Sequence, residues 1–112
     1  MASEITELTL MRIFVGEGDR IDGKIVYEEI VKLLRNEKIS GATVIRGIEG
    51  FGAKSHLHKA SVITLSHNLP IIIEAIDNRD RLDAIVPKLD DLIEEGLVTF
   101  EKVSAVRFDK QK

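Results

Sequence analysis

The stretch Gly41-Ala42-Thr43-Val44-Ile45-Arg46-Gly47-Ile48-Glu49-Gly50-Phe51-Gly52 runs a β-branched centre into three glycines, and the polar, basic Ala53-Lys54-Ser55-His56-Leu57-His58-Lys59 follows it. The branched side chains of Val44 and Ile45 suit a pleated strand. The glycines call for a sharp turn, a positive φ, or the close approach of another group. A strand that ends in a glycine-rich loop bearing Lys54 and Lys59 is a candidate anion site, with backbone N–H groups turned inward as a nest. Two familiar phosphate motifs fail here. Gly47 and Gly52 have the Walker A gap, but Ala53 intrudes before Lys54-Ser55, and His56-Leu57-His58 does not open a helix. The dinucleotide fingerprint fails as well, because Gly50 and Gly52 are followed by Ser55, and Gly16 and Gly18 by Ile21. On this stretch alone, a ligand-free surface hairpin is the plain alternative.

Outward from that stretch, the chain of 112 residues is expected to form a single domain over 1–112 with a modest core. Apolar residues make up 44% and aromatic ones 4%, so the core is aliphatic. A formal net charge of −3 argues against broad nucleic-acid binding, and the lack of cysteine excludes disulfides, thiolate metal sites and a cysteine nucleophile. No apolar run approaches the length of a membrane span and Met1-Ala2-Ser3-Glu4 opens no signal peptide, so the expectation is a soluble cytoplasmic protein without membrane insertion.

Leu8 to Val15 reads as a first strand with apolar residues on both parities, which asks for cover on both faces. Gly16-Glu17-Gly18-Asp19-Arg20 breaks it, and Asp22 is the expected N-cap of a helix running to about Glu37. Val26, Tyr27, Ile30, Val31 and Leu34 give that helix its apolar stripe, which makes Tyr27 a core residue. Ala42–Arg46 is the second strand. Ala60–Leu65 is a further short strand or one arm of a long hairpin, and Leu69–Ile76 is a better strand, opened by Pro70. Asn78 is expected to cap a second helix with Leu82, Ile85, Val86, Leu89, Leu92 and Ile93 inward. Pro87 should bend it and Gly96 should close it as a C′ glycine. Leu97–Phe108 is the last strand, and 109–112 a frayed tail.

Strand, helix, strand, strand, helix, strand is the ferredoxin-like βαββαβ order, an α+β sandwich with two helices on one face of an antiparallel sheet. The second face would stay apolar and bare in a monomer, which predicts a homo-oligomer.

In that topology the chain resembles the PII nitrogen-regulatory signalling proteins, and more closely a PII-like family of uncharacterised small prokaryotic proteins. The resemblance spans Leu8 to Phe108 and rests on Ile13-Phe14-Val15-Gly16-Glu17, the quoted stretch from Gly41 to Gly52, and Leu69-Pro70-Ile71-Ile72-Ile73-Glu74. It implies a trimer that binds an adenine nucleotide (AMP, ADP or ATP) in clefts between subunits. It further implies that the segment 49–66, matching the mobile T-loop, signals to a protein partner, a membrane transporter being one candidate. Carried over by position, Gly50, Phe51 and Gly52 match the T-loop base, with Lys54 as a further phosphate contact. The turn from Gly96 through Thr99 to Lys102 matches the phosphate-gripping B-loop, and Arg107 stands in for C-terminal arginines. The departures are concrete. Leu97, Val98 and Phe100 replace B-loop glycines, which favours a less phosphorylated ligand, and 49–66 contains no tyrosine for nucleotidylation.

Two other classes compete. His56 and His58 would share one face of a strand, and with His67 they make a metal-binding oligomer the first alternative. A ligand-free scaffold is the second. An enzyme is not expected: Asp90-Asp91 and Glu94-Glu95 read as a solvated helix face, and Glu17 and Asp19 lack an obvious partner. Glu74 is either a buried carboxylate or the mate of a cation.

Overall fold

The computed structural model describes residues 4–52, 58–59 and 68–109. Its elements are β1 (Ile5–Gly16), β2 (Arg20–Ile21), β3 (Lys24–Ile25), α1 (Val26–Asn36), β4 (Gly41–Arg46), β5 (Glu49–Gly50), β6 (His58–Lys59), β7 (Pro70–Asp77), α2 (Arg79–Asp90) and β8 (Leu97–Val106). The four long strands form one antiparallel sheet in the order β4-β7-β1-β8, the ferredoxin-like arrangement expected from the order of elements. The possible strand at Ala60–Leu65 and the tail from 110 lie outside the described residues.

Register decides which parity of each strand faces the helices. Ile13 stands opposite Ile73 and Val98, and Met11 opposite Ala75 and Phe100. Met11, Ile13, Ile73 and Ala75 are fully buried under Val26, Ile30 and Leu34 of α1 and Leu82, Ile85 and Leu89 of α2. Tyr27 packs against this cluster from its edge. The other parity, with Leu10, Arg12 and Phe14 on β1 and Ile72, Glu74 and Ile76 on β7, is half-exposed. It is the Leu10 side, not the Met11 side, that stays bare. Amid its apolar residues Arg12 donates to Glu74 through Nε and to Glu101 through Nη1, both at 3.0 Å. The hydrogen bond to Glu74 and then that to Glu101 hold the guanidinium above its ordinary pKa against some desolvation. Glu74 is therefore the mate of a cation.

Three local expectations are corrected. α1 begins at Val26 after Ile25, because Asp22 and Gly23 adopt φ of 50° and 80° and turn a hairpin between β2 and β3. Asp-Gly with both φ positive is the pattern of a two-residue hairpin turn, so Asp22 serves that turn and caps no helix. Asn78 does occupy the N-cap position of α2, but its side chain makes no capping bond. The helix stops at Asp90, three residues after Pro87, and Leu92 and Ile93 reach the core from the turn beyond it. Gly96 thus lies six residues past the end of α2 and closes nothing helical. Its lack of a side chain serves β1, since a Cβ there would sit 2.7 Å from the Phe14 carbonyl oxygen.

α1 ends on a residue the sequence reading passed over. Ile39 N–H donates to the Leu34 carbonyl and Lys38 N–H to that of Arg35, the paired bonds of a Schellman motif. Lys38 fills its left-handed position at φ 59°, where glycine is the usual occupant.

Candidate ligand-binding site at the glycine end of the sheet

The C-terminal ends of β1 and β4 and the N-terminal ends of β7 and β8 lie at one end of the sheet: Gly16 is opposite Pro70, Arg46 opposite Ile71 and Phe14 opposite Leu97. The described roots of the loops from these strand ends lie here. Backbone bonds fasten them, from Glu17 N–H to the Leu69 carbonyl at 2.8 Å and from Gly47 N–H to the Pro70 carbonyl at 2.7 Å. Side chains do the rest: Asn68 Oδ1 accepts from Gly18 N–H at 3.0 Å and Asp19 Oδ2 from Gly16 N–H at 2.8 Å. The glycines of the quoted stretch are explained by proximity. A Cβ on Gly47 or Gly50 would come within 3.1 or 2.9 Å of the Pro70 ring. These two glycines let the loop root close over Pro70, and no described N–H nest is needed to account for them.

Between the Gly16–Arg20 turn and the segment after α2 opens a cleft of about 430 Å³, lined by Gly18, Asp19, Arg20, Val26, Asn68, Ile93, Glu94 and Glu95. That volume lies within the usual range for small-molecule sites, roughly 300–1,000 Å³. At the same end of the sheet Glu17 and Arg46 form an ion pair at 3.1 Å, so Glu17 does have a partner. Its second oxygen, Oε1, is buried without a hydrogen-bond partner among the described residues. An unsatisfied buried carboxylate oxygen is costly.

The residues singled out from sequence separate into two groups. Gly50, Phe51 and Gly52 lie at the glycine end, Gly50 in the β5–β6 ribbon where it pairs with His58, and Phe51 exposed at 72%. Gly96 is at this end too, immediately before β8. Thr99 and Lys102 lie inside β8, not in a loop, opposite Arg12 and Thr9 respectively. Thr99 therefore belongs to the bare face, and Lys102 lies five residues along the strand from Leu97, about 17 Å at the usual rise. Arg107 follows the far end of β8. Within one chain, Lys102 and Arg107 do not meet Gly50–Gly52. Lys54, His56 and His67 lie outside the described residues, and of His58 only the backbone pairing is described. Among the described residues no cluster of three or more histidine or carboxylate side chains is arranged to hold a metal. Arg20 and Asn68 are lining residues that sequence reasoning missed, and Glu94-Glu95, expected on a solvated helix face, lie past the end of α2 and line the cleft.

The family follows from comparison with known proteins. The chain belongs to the DUF190 family (Uncharacterized ACR, COG1993), whose model matches residues 8–105. Among its relatives is the UPF0166 protein MJ1524 of Methanocaldococcus jannaschii, 39% identical over 90 residues that cover 80% of this chain and 82% of that one. A UPF0166 protein of Aquifex aeolicus is 28% identical over 102 residues, covering 91% and 96%. Similar solved folds are PII-like. CPII of Thiomonas intermedia K12, described as bound to ADP, AMP and bicarbonate, has a TM-score of 0.66 at 16% identity, covering 95% of this chain and 94% of that one. The putative PII-like signaling protein TTHA0516 of Thermus thermophilus also has a TM-score of 0.66, at 15% identity, covering 92% and 93%. The fold is the ferredoxin-like fold of PII-like proteins. Among the described residues no helix is long and apolar enough to cross a membrane.

Proposed function

We propose that this chain is a PII-like regulatory protein that binds an adenine nucleotide in clefts between copies of itself and reports occupancy to a protein partner through the segment 49–66. The observation that carries the reading is the convergence, at one end of a PII-like sheet, of the root of that segment with an open cleft and a buried, unsatisfied carboxylate oxygen. A ligand lodged there meets Asn68, just past that segment, so a difference in affinity between two arrangements of the segment becomes a signal. CPII, a structural neighbour, has been crystallised with ADP and AMP, which supports this ligand class. Gly50, Phe51, Gly52 and Gly96 lie at the cleft end in one chain, with Lys54 continuing from that loop; Lys102 and Arg107 reach it only from a neighbouring copy. A homotrimer supplies that neighbour.

Self-association rests on the bare sheet face, where Leu10, Phe14, Ile45, Ile72, Ile76 and Leu97 surround the Arg12 ion cluster. Isothermal titration with AMP, ADP and ATP tests the ligand. Saturable binding of at least one is expected, and silence with all three ends the reading. Sedimentation tests the assembly: a trimer is expected for the wild type and smaller species with retained helix content for Ile72→Asp. A wild-type monomer at working concentration overturns the intersubunit part.

A further inference from the structure

Gly18 and Asp19 line the cleft, and the turn they belong to, 16–19, is tied to both roots of the segment 49–66. At the returning root, 68–70, Glu17 N–H donates to the Leu69 carbonyl at 2.8 Å and Gly18 N–H to Asn68 Oδ1 at 3.0 Å. Gly16 makes room for that root, since a Cβ there would stand 2.5 Å from Asn68 Oδ1. At the outgoing root the Glu17 carboxylate holds Arg46, the last residue of β4, at 3.1 Å. The two roots are joined to each other by the bond from Gly47 N–H to the Pro70 carbonyl and, farther out, by the β5–β6 ribbon. The turn is braced as well: Asp19 Oδ2 accepts from Gly16 N–H, and the Asp19 carbonyl accepts from Val26 N–H at the start of α1.

Resting on the nucleotide reading above, we infer that the turn 16–19 transmits occupancy of the cleft, and that Arg46 is the positioning residue that carries it to the outgoing root. Coupling between two sites needs an element whose arrangement both of them bias. This turn touches the cleft through Gly18 and Asp19 and the roots through Glu17 and Gly18. The returning root follows it chiefly through backbone donors. The outgoing root follows it through one ion pair, in which Glu17 is 23% exposed and Arg46 52%, so it is less screened than a pair lying fully in water. Arg46 is not among the residues that line the cleft. Its part is to make Gly47 and the ribbon respond when the turn does.

The test is amide hydrogen exchange of the full chain, read residue by residue with and without saturating nucleotide. AMP, ADP and ATP are first titrated by calorimetry, and the tightest binder is used. In the wild type, occupancy should change exchange at Glu17, Gly18 and Asp19 and also at Gly47, Glu49 and Gly50. In Arg46→Met the change should persist in the turn and shrink at least about threefold at Gly47, Glu49 and Gly50. Arg46→Lys keeps the charge and should restore most of it. A merely structural role would raise exchange with and without nucleotide alike and leave the difference between the two intact. Thermal melting checks that Arg46→Met is folded, and Arg46→Gln replaces it if it is not. The inference is overturned if the change at Gly47, Glu49 and Gly50 is as large without the ion pair as with it. It is overturned too if those wild-type residues ignore a nucleotide that binds, and in either case the nucleotide reading stands. Silence with all three nucleotides ends that reading and this inference with it.

Discussion

The two ends of the sheet are built on opposite plans. At the far end Asp77 is 4% exposed, and its carboxylate accepts from Ser40 N–H at 3.0 Å, Ser40 Oγ at 3.3 Å, Asn78 N–H at 2.6 Å and Arg81 Nε at 3.0 Å. Arg81 then donates to the carbonyls of Glu37 and Lys38, where α1 runs out of partners of its own. One side chain thus fastens β7, the start of α2 and the α1–β4 connection. At the glycine end the loops are joined mostly through backbone, a carboxylate oxygen stays unsatisfied, and a cleft stands open. Side-chain ties converge on one carboxylate at the far end, and the unsatisfied chemistry lies at the glycine end. The expected effects of substitution follow that division.

The largest effect belongs to the fastened end. Asp77→Ala strands the Ser40 and Asn78 N–H groups and the Arg81 guanidinium, and should cost about 3 kcal/mol in denaturant unfolding. The same carboxylate gives the protein an acid limit. Burial pushes the Asp77 carboxyl up, but bonds from Asn78 N–H, Arg81 and Ser40 N–H outweigh it and hold its pKa below the ordinary value. A depressed folded pKa stabilises the fold above the unfolded value, about 3.9, and that stability drains away as pH falls through the folded one. Stability measured from pH 7 down to 2 should therefore fall below about pH 4 in the wild type, and that component should be missing in Asp77→Asn.

At the glycine end the effects are smaller and depend on what a new methyl would touch. Gly96→Ala drives a Cβ toward the Phe14 carbonyl oxygen and should cost about 2 kcal/mol by thermal unfolding. Lys38→Gly, back at the fastened end, relieves a left-handed lysine and should gain about 1 kcal/mol in the same measurement. Gly52→Ala meets nothing within 4 Å among the described residues and should leave folding stability within about 0.5 kcal/mol of wild type. Should Gly52→Ala cost as much as Gly96→Ala, the contrast drawn between an open loop root and a closed strand end is wrong.

What the sequence discloses depends on how local the cause is. β4 could be read from Val44 and Ile45 because branched residues favour strands in place, and the glycines after it could be read as a break. Asp22 misled because an aspartate before an apolar run serves equally as a helix cap or as the first residue of an Asp-Gly turn, and Gly23 was the signal that decides between them. The end of α2 was misplaced because Leu92 and Ile93 continue its apolar spacing. Asp90, Asp91, Glu94 and Glu95 were the warning, since carboxylates are unfavourable in the last turns of a helix. The apolar second face was visible in β1 and the Leu69–Ile76 stretch, but which parity stays bare needed the register. The site was the least legible part. Arg46 meets Glu17 and Asn68 meets Gly18 only because the fold brings three separated segments together, and no periodicity encodes that. The resemblance matched Lys102 to a phosphate-gripping loop, whereas the residues read it as part of the last strand, and its pairing with Thr9 puts it well inside that strand.

The strand order β4-β7-β1-β8 carries a consequence for how the molecule comes into being. The strand nearest the start of the chain is an inner one, and both of its neighbours are made later: Arg12 meets Glu74 at a separation of 62 residues and Glu101 at 89. Neither edge of β1 can close while the polypeptide is still short. On a ribosome, β1 and α1 emerge with nothing to pair against, and the sheet assembles only once β7 and then β8 are free. Such long-range closure belongs to the slow side of two-state folding and leaves a nascent strand exposed in the meantime. Trimming the chain just before Leu97 should therefore yield no smaller stable domain, since β1 would keep β7 but lose its whole second edge.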